Sequence, residues 1–229
     1  MVREGVRVSV KGERFVKAGS KVRLQEAYNL EYVQGKVACP KLYRYYQQGD
    51  EVVIEMEYVP GETLRAIWPT LDNDQKQCVV DNITNEIRKL RAFGSGDTST
   101  CGINNTIVHS EWFGEFNLKD EQELNKRVAS TVQFNPKVQA LVQRLLPTSS
   151  RFCLGHGNLY DVNIIVKEDM SIVFVGWECM GFFPEYWDPM MLFILSRRDK
   201  KMIDQATSNM NVDNSILAAF HIILVIMFK

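Results

Sequence analysis

The sequence predicts an α+β chain of two lobes, a small β-rich N-lobe holding one helix and a mainly helical C-lobe. Three observations lead there. The first sixty residues show strand-like alternation with one helical stretch, Pro60-Gly61 ends the last of those strands, and helical periodicity dominates afterwards apart from two short β runs. The expected division is therefore 1–60 for the N-lobe and 61–229 for the C-lobe, with a β-hairpin at about 162–175. With 229 residues, 45% of them hydrophobic and 24% charged, the chain can build one large domain or two small lobes, and its composition is neither disordered nor fibrous.

Each element has a local reason. VRVSVKGERFVKAG alternates with period two around a glycine, which suits a hairpin carrying Lys17 on its second strand. From Lys21 to Gln34, Val22, Ala27, Leu30 and Val33 fall near helical spacing, with Glu26 mid-helix. A turn at Cys39-Pro40, a strand over Lys41–Tyr46, a turn at Gln48-Gly49-Asp50 and the strand EVVIEMEYV complete the lobe. Asp72, Asn73 and Asp74 then offer N-caps for a helix running to about Ala92, striped by Val79, Val80, Ile83, Ile87 and Leu90. A Gly/Ser/Thr-rich loop over 94–102 separates it from helices expected at Asp120–Val132 and Pro136–Leu146. The β runs Val162–Val166 and Ile172–Val175 flank a turn at Lys167–Met170.

Composition excludes several classes. Cys39, Cys78, Cys101, Cys153 and Cys179 lack C-x-x-C spacing and do not cluster with the three histidines, so they are expected to be buried, reduced thiols of a cytoplasmic protein. The N-terminus has no secretory h-region. Ile216–Phe228, apolar except for His221, falls short of the about 20 residues a membrane span needs and reads as a buried terminal helix, after which the chain stops as if clipped. Net charge is −1, yet residues 1–50 hold ten basic residues against five acids, leaving −6 for the rest. That basic region suits phosphate or nucleic acid, or simply a solvated strand face.

A β-rich lobe, a Pro-Gly hinge and a helical lobe with a short hairpin is the layout of a protein-kinase-like two-lobe fold. RFVKAGSKVRLQEAYNLEYV, VIEMEYVPGETL and GHGNLYDVNIIVKEDMSIVFVGWECMGFFPEYWD together resemble the aminoglycoside phosphotransferase and choline-kinase-like superfamily, particularly its fungal members, over about Gly5 to Asp188. The resemblance implies that Lys17 orients nucleotide phosphates while paired with Glu26, that the backbone of Glu57–Val59 is the hinge meeting adenine, and that His156 braces the catalytic loop. No dense glycine-rich loop precedes Lys17; Gly5 and Gly12 are a weak substitute.

The family's loop reads H-G-D with a metal-binding Asn five residues after the Asp. Here His156, Gly157 and Asn163 are kept, but Asn158 stands for the catalytic Asp. The family's I-D-W-E, whose Asp binds magnesium, is Val175-Gly176-Trp177-Glu178. An amide neither takes a hydroxyl proton nor neutralises a divalent ion, and glycine offers no ligand. Ordinary phosphoryl transfer is therefore expected to fall on the order of 10³ or more, unless Glu178 or Asp161 replaces the lost acids.

Three functions remain open. One is a pseudokinase that binds a nucleotide or protein partner without chemistry, and one is an aminoglycoside phosphotransferase-like small-molecule kinase with relocated acids. The third and preferred reading is reuse of the scaffold, for which the chain resembles the fungal arginine-containing cyclodipeptide synthases of secondary metabolism. That resemblance implies aminoacyl-tRNA as partner, an already activated ester and hence neither metal nor other cofactor, and an acidic D-x-x-E element, matched by Asp120 and Glu123. The same D-x-x-E is a common helix-start pattern. The sites expected are thus Asp120 and Glu123 as catalytic acids, with Lys17, Glu26, Asn158, Asn163 and Glu178 binding substrate or phosphate.

Overall fold

The computed structural model describes residues 5–94, 99–110, 113–133, 135–195, 208–210 and 212–227. Residues 95–98 of the expected Gly/Ser/Thr-rich loop, Arg3 and Glu4 of the basic region and Phe228 of the apolar run lie outside them. The chain forms two compact units, residues 1–82 with 162–178, and residues 83–161 with 179–229.

In the first unit, β1 (Arg7–Lys11), β2 (Arg14–Gly19), β3 (Leu42–Gln48) and β4 (Glu51–Glu57) make an antiparallel sheet in the order β1-β2-β4-β3. Between β2 and β3 runs α1 (Leu24–Val33), packed on β3 and β4. Its predicted stripe is buried, Ala27, Leu30 and Val33 being at most 1% exposed. After β4 come the two-residue strand β5 (Glu62–Thr63) and the single turn α2 (Leu64–Ile67), whose Ala66 N–H is accepted by Thr63 Oγ1. The long helix α3 (Asn73–Arg91) starts in this unit. Its start is a reciprocal cap, since Gln75 N–H donates to Asp72 Oδ1 at 2.8 Å and Asp72 N–H to Gln75 Oε1 at 3.0 Å.

The second unit contains the hairpin β6 (Val108–Ser110)–β7 (Gly114–Phe116), the helices α4 (Glu121–Ser130) and α5 (Pro136–Leu145), and β8 (Phe152–Gly155). The chain then returns to the first unit for β9 (Ile164–Val166) and β10 (Ile172–Phe174), which join β5 in the order β10-β9-β5. Back in the second unit, β11 (Gly181–Pro184) pairs with β8, followed by α6 (Trp187–Leu195) and α7 (Asn214–Met227). The apolar terminal stretch is indeed a packed helix. Ile216, Ala219, Phe220, Ile223 and Leu224 of α7 are buried, and α7 lies on α5 and α6. Among the described residues no helix is long and apolar enough to cross a membrane.

Residues 61–82 and the 162–178 hairpin therefore cluster with the first sixty residues rather than with the rest. The cause is backbone pairing across long sequence separation: Glu62 and Thr63 pair with Val166 and Ile165, and Phe174 N–H donates to Ala38 O at 2.9 Å.

Candidate functional site

Lys17 lies on β2 between Val8 of β1 and Ile54 of β4. Its Nζ is 2.6 Å from Glu26 Oε2 on α1, with side-chain exposures of 20% and 5%, so strand and helix meet in a half-buried ion pair. Glu178 joins them, its Oε2 standing 3.8 Å from Lys17 Nζ. A strand through residue 178 would carry that side chain beyond Gly176 into a structural role. Instead Trp177–Cys179 form one 3₁₀ turn, which brings Glu178 back to Lys17.

Gly176 makes that turn with φ +79°, a conformation that L side chains rarely adopt. A Cβ there would stand 3.0 Å from Asn163 Oδ1 and 3.2 Å from its Cγ. Asn163 is held alongside because Val175 N–H donates to Asn163 O at 2.9 Å. The amide thus lies against the position where a carboxylate at residue 176 would begin. For a hard cation, the donors left here are the Asn163 amide oxygen and the Glu178 carboxylate. Among the described residues no cluster of three or more His, Cys, Asp or Glu could hold a metal ion. At the expected hinge, Glu57 N–H donates to Lys41 O and Tyr58 N–H to Glu13 O, both at 2.8 Å, so these two amides are used within the unit.

In the second unit, the GHGN segment follows β8 and is braced from below. His156 N–H donates to Asp188 Oδ2 at 2.8 Å and Gly157 N–H to Asp188 Oδ1 at 2.9 Å. Asn158 N–H donates to His156 Nδ1 at 3.3 Å, and Trp187 Nε1–H to Gly157 O at 3.3 Å. His156 is completely buried. Gly157 has φ +77°, and a Cβ on it would fall 2.1 Å from Cys179 O, so only glycine fits. Asn158 and Asp161 are buried, at 3% and 8% exposure. Burial pushes the Asp188 carboxyl up to about 6, while the His156 and Gly157 amides and then Arg91 pull it down.

Asp120 and Glu123 serve the start of α4. Glu123 N–H donates to Asp120 Oδ1 at 2.9 Å, Lys119 N–H donates to Glu123 Oε2 at 3.2 Å, and Lys119 Nζ lies 3.3 Å from Glu123 Oε1. Both carboxylates take part in local capping. The basic N-terminal region is likewise engaged: Arg7 makes two 2.6 Å bonds to Glu51, while Arg14 and Arg44 share Glu55. His109, unassigned by its sequence neighbours, sits with Nδ1 2.8 Å from Glu115 Oε1. All five cysteines are free thiols, but only Cys101, Cys153 and Cys179 are buried; Cys78 is exposed and Cys39 half-buried, because both sit outside the stripes that face the core.

Two residues escaped the reading of the sequence. Asp188 has one signal, an acid followed by Pro189 at the start of an apolar helix, which marks a helix N-terminus and hence a place to gather amide donors. Asn29, which donates to Trp177 O at 2.7 Å, has none beyond being polar on a buried helix face.

A family model described as the phosphotransferase enzyme family matches residues 14–211. The chain belongs to the phosphotransferase enzyme family. No curated protein matches it significantly. Among solved structures, this phosphotransferase-family chain is similar to aminoglycoside phosphotransferase APH(3'')-Id from Streptomyces rimosus, in complex with ADP and streptomycin, with 14% identity and a TM-score of 0.64, covering 100% of this chain and 92% of that one. It is similar to aminoglycoside-3'-phosphotransferase of type VIII with 13% identity and a TM-score of 0.63, over 98% and 89% of the chains. It is also similar to choline kinase LicA from Streptococcus pneumoniae with 14% identity and a TM-score of 0.60, over 100% and 80%. At such identities these likenesses establish the kinase-like fold, and the preference for a fold reused in cyclodipeptide synthesis gains nothing from them.

Proposed function

We propose that this member of the phosphotransferase family is a small-molecule kinase whose acids have been relocated, transferring the γ-phosphoryl group of a nucleoside triphosphate to a hydroxyl. The observation that carries the reading is Glu178 at 3.8 Å from Lys17, in an ion cluster whose other acid, Glu26, is at 2.6 Å. A scaffold kept only for its shape has no need of a second carboxylate on that lysine.

In this reading Lys17, held by Glu26, meets the phosphate oxygens. Glu178 and the Asn163 amide are the residues that would hold a divalent ion, which when bound supplies charge neutralisation to the phosphates. The substrate hydroxyl gives up its proton to solvent, its oxygen bonds to phosphorus, and the bond to the departing diphosphate breaks. The substrate class taken over from the similar structures is a small hydroxylated amine, the chemistry shared by streptomycin and choline. Aminoacyl-tRNA-dependent synthesis acting through Asp120 and Glu123 draws no support from either acid, since both are spent on the cap of α4.

A second reading, nucleotide binding without transfer, is favoured by Asn158 and by Gly176, whose missing side chain has Asn163 against its place. One experiment separates the two. Thermal shift with ATP, with and without magnesium, is combined with mass spectrometry of a panel of aminoglycosides and amino alcohols. Phosphotransfer predicts a magnesium-dependent shift, a product heavier by one phosphoryl group, and a loss of about 100-fold in Glu178→Gln. A magnesium-independent shift with no product leaves binding alone, and no shift at all sinks both readings.

A further inference from the structure

We infer that Asn29 is a positioning residue, fastening α1 to the Trp177–Cys179 turn so that Glu26 and Glu178 are set on Lys17 as one piece. This rests on the reading above that Lys17 is where nucleotide phosphate is met.

Asn29 is completely buried on the face of α1 that also carries Glu26, Ala27, Leu30 and Val33. Asparagine is a poor choice there. It is a weaker helix former than leucine or alanine, and burying its amide costs free energy unless every polar atom finds a partner. Here both atoms are used. Gln25 Nε2 donates to Asn29 Oδ1 at 2.8 Å, orienting the amide so that Nδ2 donates to Trp177 O at 2.7 Å. That carbonyl belongs to the peptide unit joining Trp177 to Glu178, so the bond grips the backbone directly before the second acid.

Other hydrogen bonds hold the segment on either side of that point, with Cys179 Sγ donating to His109 O at 2.6 Å after it. Phe174 N–H reaches Ala38 O and Val175 N–H reaches Asn163 O, both at 2.9 Å, and the Trp177 indole N–H folds back to Phe174 O at 2.9 Å. Asn29 lies three residues after Glu26, on the same side of the helix, and one peptide unit away from Glu178 through its hydrogen bond. A displacement of α1 therefore moves both carboxylates on Lys17 together or breaks a buried amide bond, and the buried bond makes the second outcome costly. The device sets the distance of Glu178 from the ammonium before any ligand arrives.

The test is a double-mutant cycle of Asn29→Leu and Glu178→Gln, read in the full chain by two measurements. The first is the rate of Lys17 labelling by an amine-reactive reagent without ligand, followed by peptide mass spectrometry. The second is the Kd for a fluorescent ATP analogue. Positioning predicts that each single variant speeds Lys17 labelling by about threefold or more and that the double variant goes no faster than the larger single. Unchanged labelling in Asn29→Leu with only a lower Tm, or effects that add in the double variant, makes Asn29 a packing residue and overturns the inference. Asn29→Asp, equal in shape but lacking the donor, serves if Asn29→Leu does not fold and has the same expected pattern. Should the wild type fail to bind the analogue while the labelling cycle stays non-additive, the functional reading falls and the positioning role stands.

Discussion

Asp188 holds a charge where few charges are found, 4% exposed and accepting two backbone amides from the loop that carries Asn158. Burial raises its folded-state value from the ordinary 3.8 to about 6. A raised carboxyl binds protons more tightly when folded, so its contribution to stability is full below pH 4 and is lost as the pH rises through about 6. We expect the stability advantage of wild type over Asp188→Asn, measured by urea denaturation, to shrink by on the order of 2 kcal/mol between pH 4 and pH 7. A difference flat with pH would mean that the two amides offset burial, and one that grows with pH that they outweigh it. Against the family's motif, the carboxylates absent at Asn158 and Gly176 are easily seen, because residue identity decides them. Support gained at Asp188 and Asn29 is not, since each acts through a backbone atom far away in sequence.

At the level of elements, two helix starts were legible from local caps: Asp72 before α3, and Asp120 with Glu123 at α4, both kept by the structure. The same pattern carries two readings where a cap resembles a catalytic acid pair. If Asp120 only caps α4, Asp120→Ala costs about 1 kcal/mol in chemical denaturation, and Asp120→Asn and Glu123→Gln cost a few tenths. In that case none of the three alters the ATP-dependent thermal shift, and a lost signal in either conservative variant would return these acids to the site. The short strands β5, β8 and β11 were invisible beforehand because two to four residues carry too little periodicity, and pairing partners more than twenty residues away decide them.

Across the molecule, the division into units does not follow a single cut in the chain. Residues 162–178 complete the first unit by pairing β9 with β5, by receiving Asn29 at Trp177, and by placing Glu178 on Lys17. A fragment of residues 1–82 alone is therefore expected to lose cooperative unfolding and chemical-shift dispersion, and mixing it with a peptide of residues 162–178 to restore part of both. A fully folded 1–82 fragment would show that the hairpin merely rests on the unit. The sequence by itself determined the α+β class and the buried character of the last helix, because these depend on residue type and local period, while the Lys17–Glu26 pair and the acids absent at 158 and 176 followed from its resemblance to the phosphotransferase superfamily. Only the tertiary structure decided that Glu178 turns back onto Lys17, that Asn163 lies against Gly176 and that Asn29 and Asp188 hold the two segments in place. Those depend on one 3₁₀ turn and on hydrogen bonds spanning 12 to 148 residues, pairings that local sequence pattern does not specify.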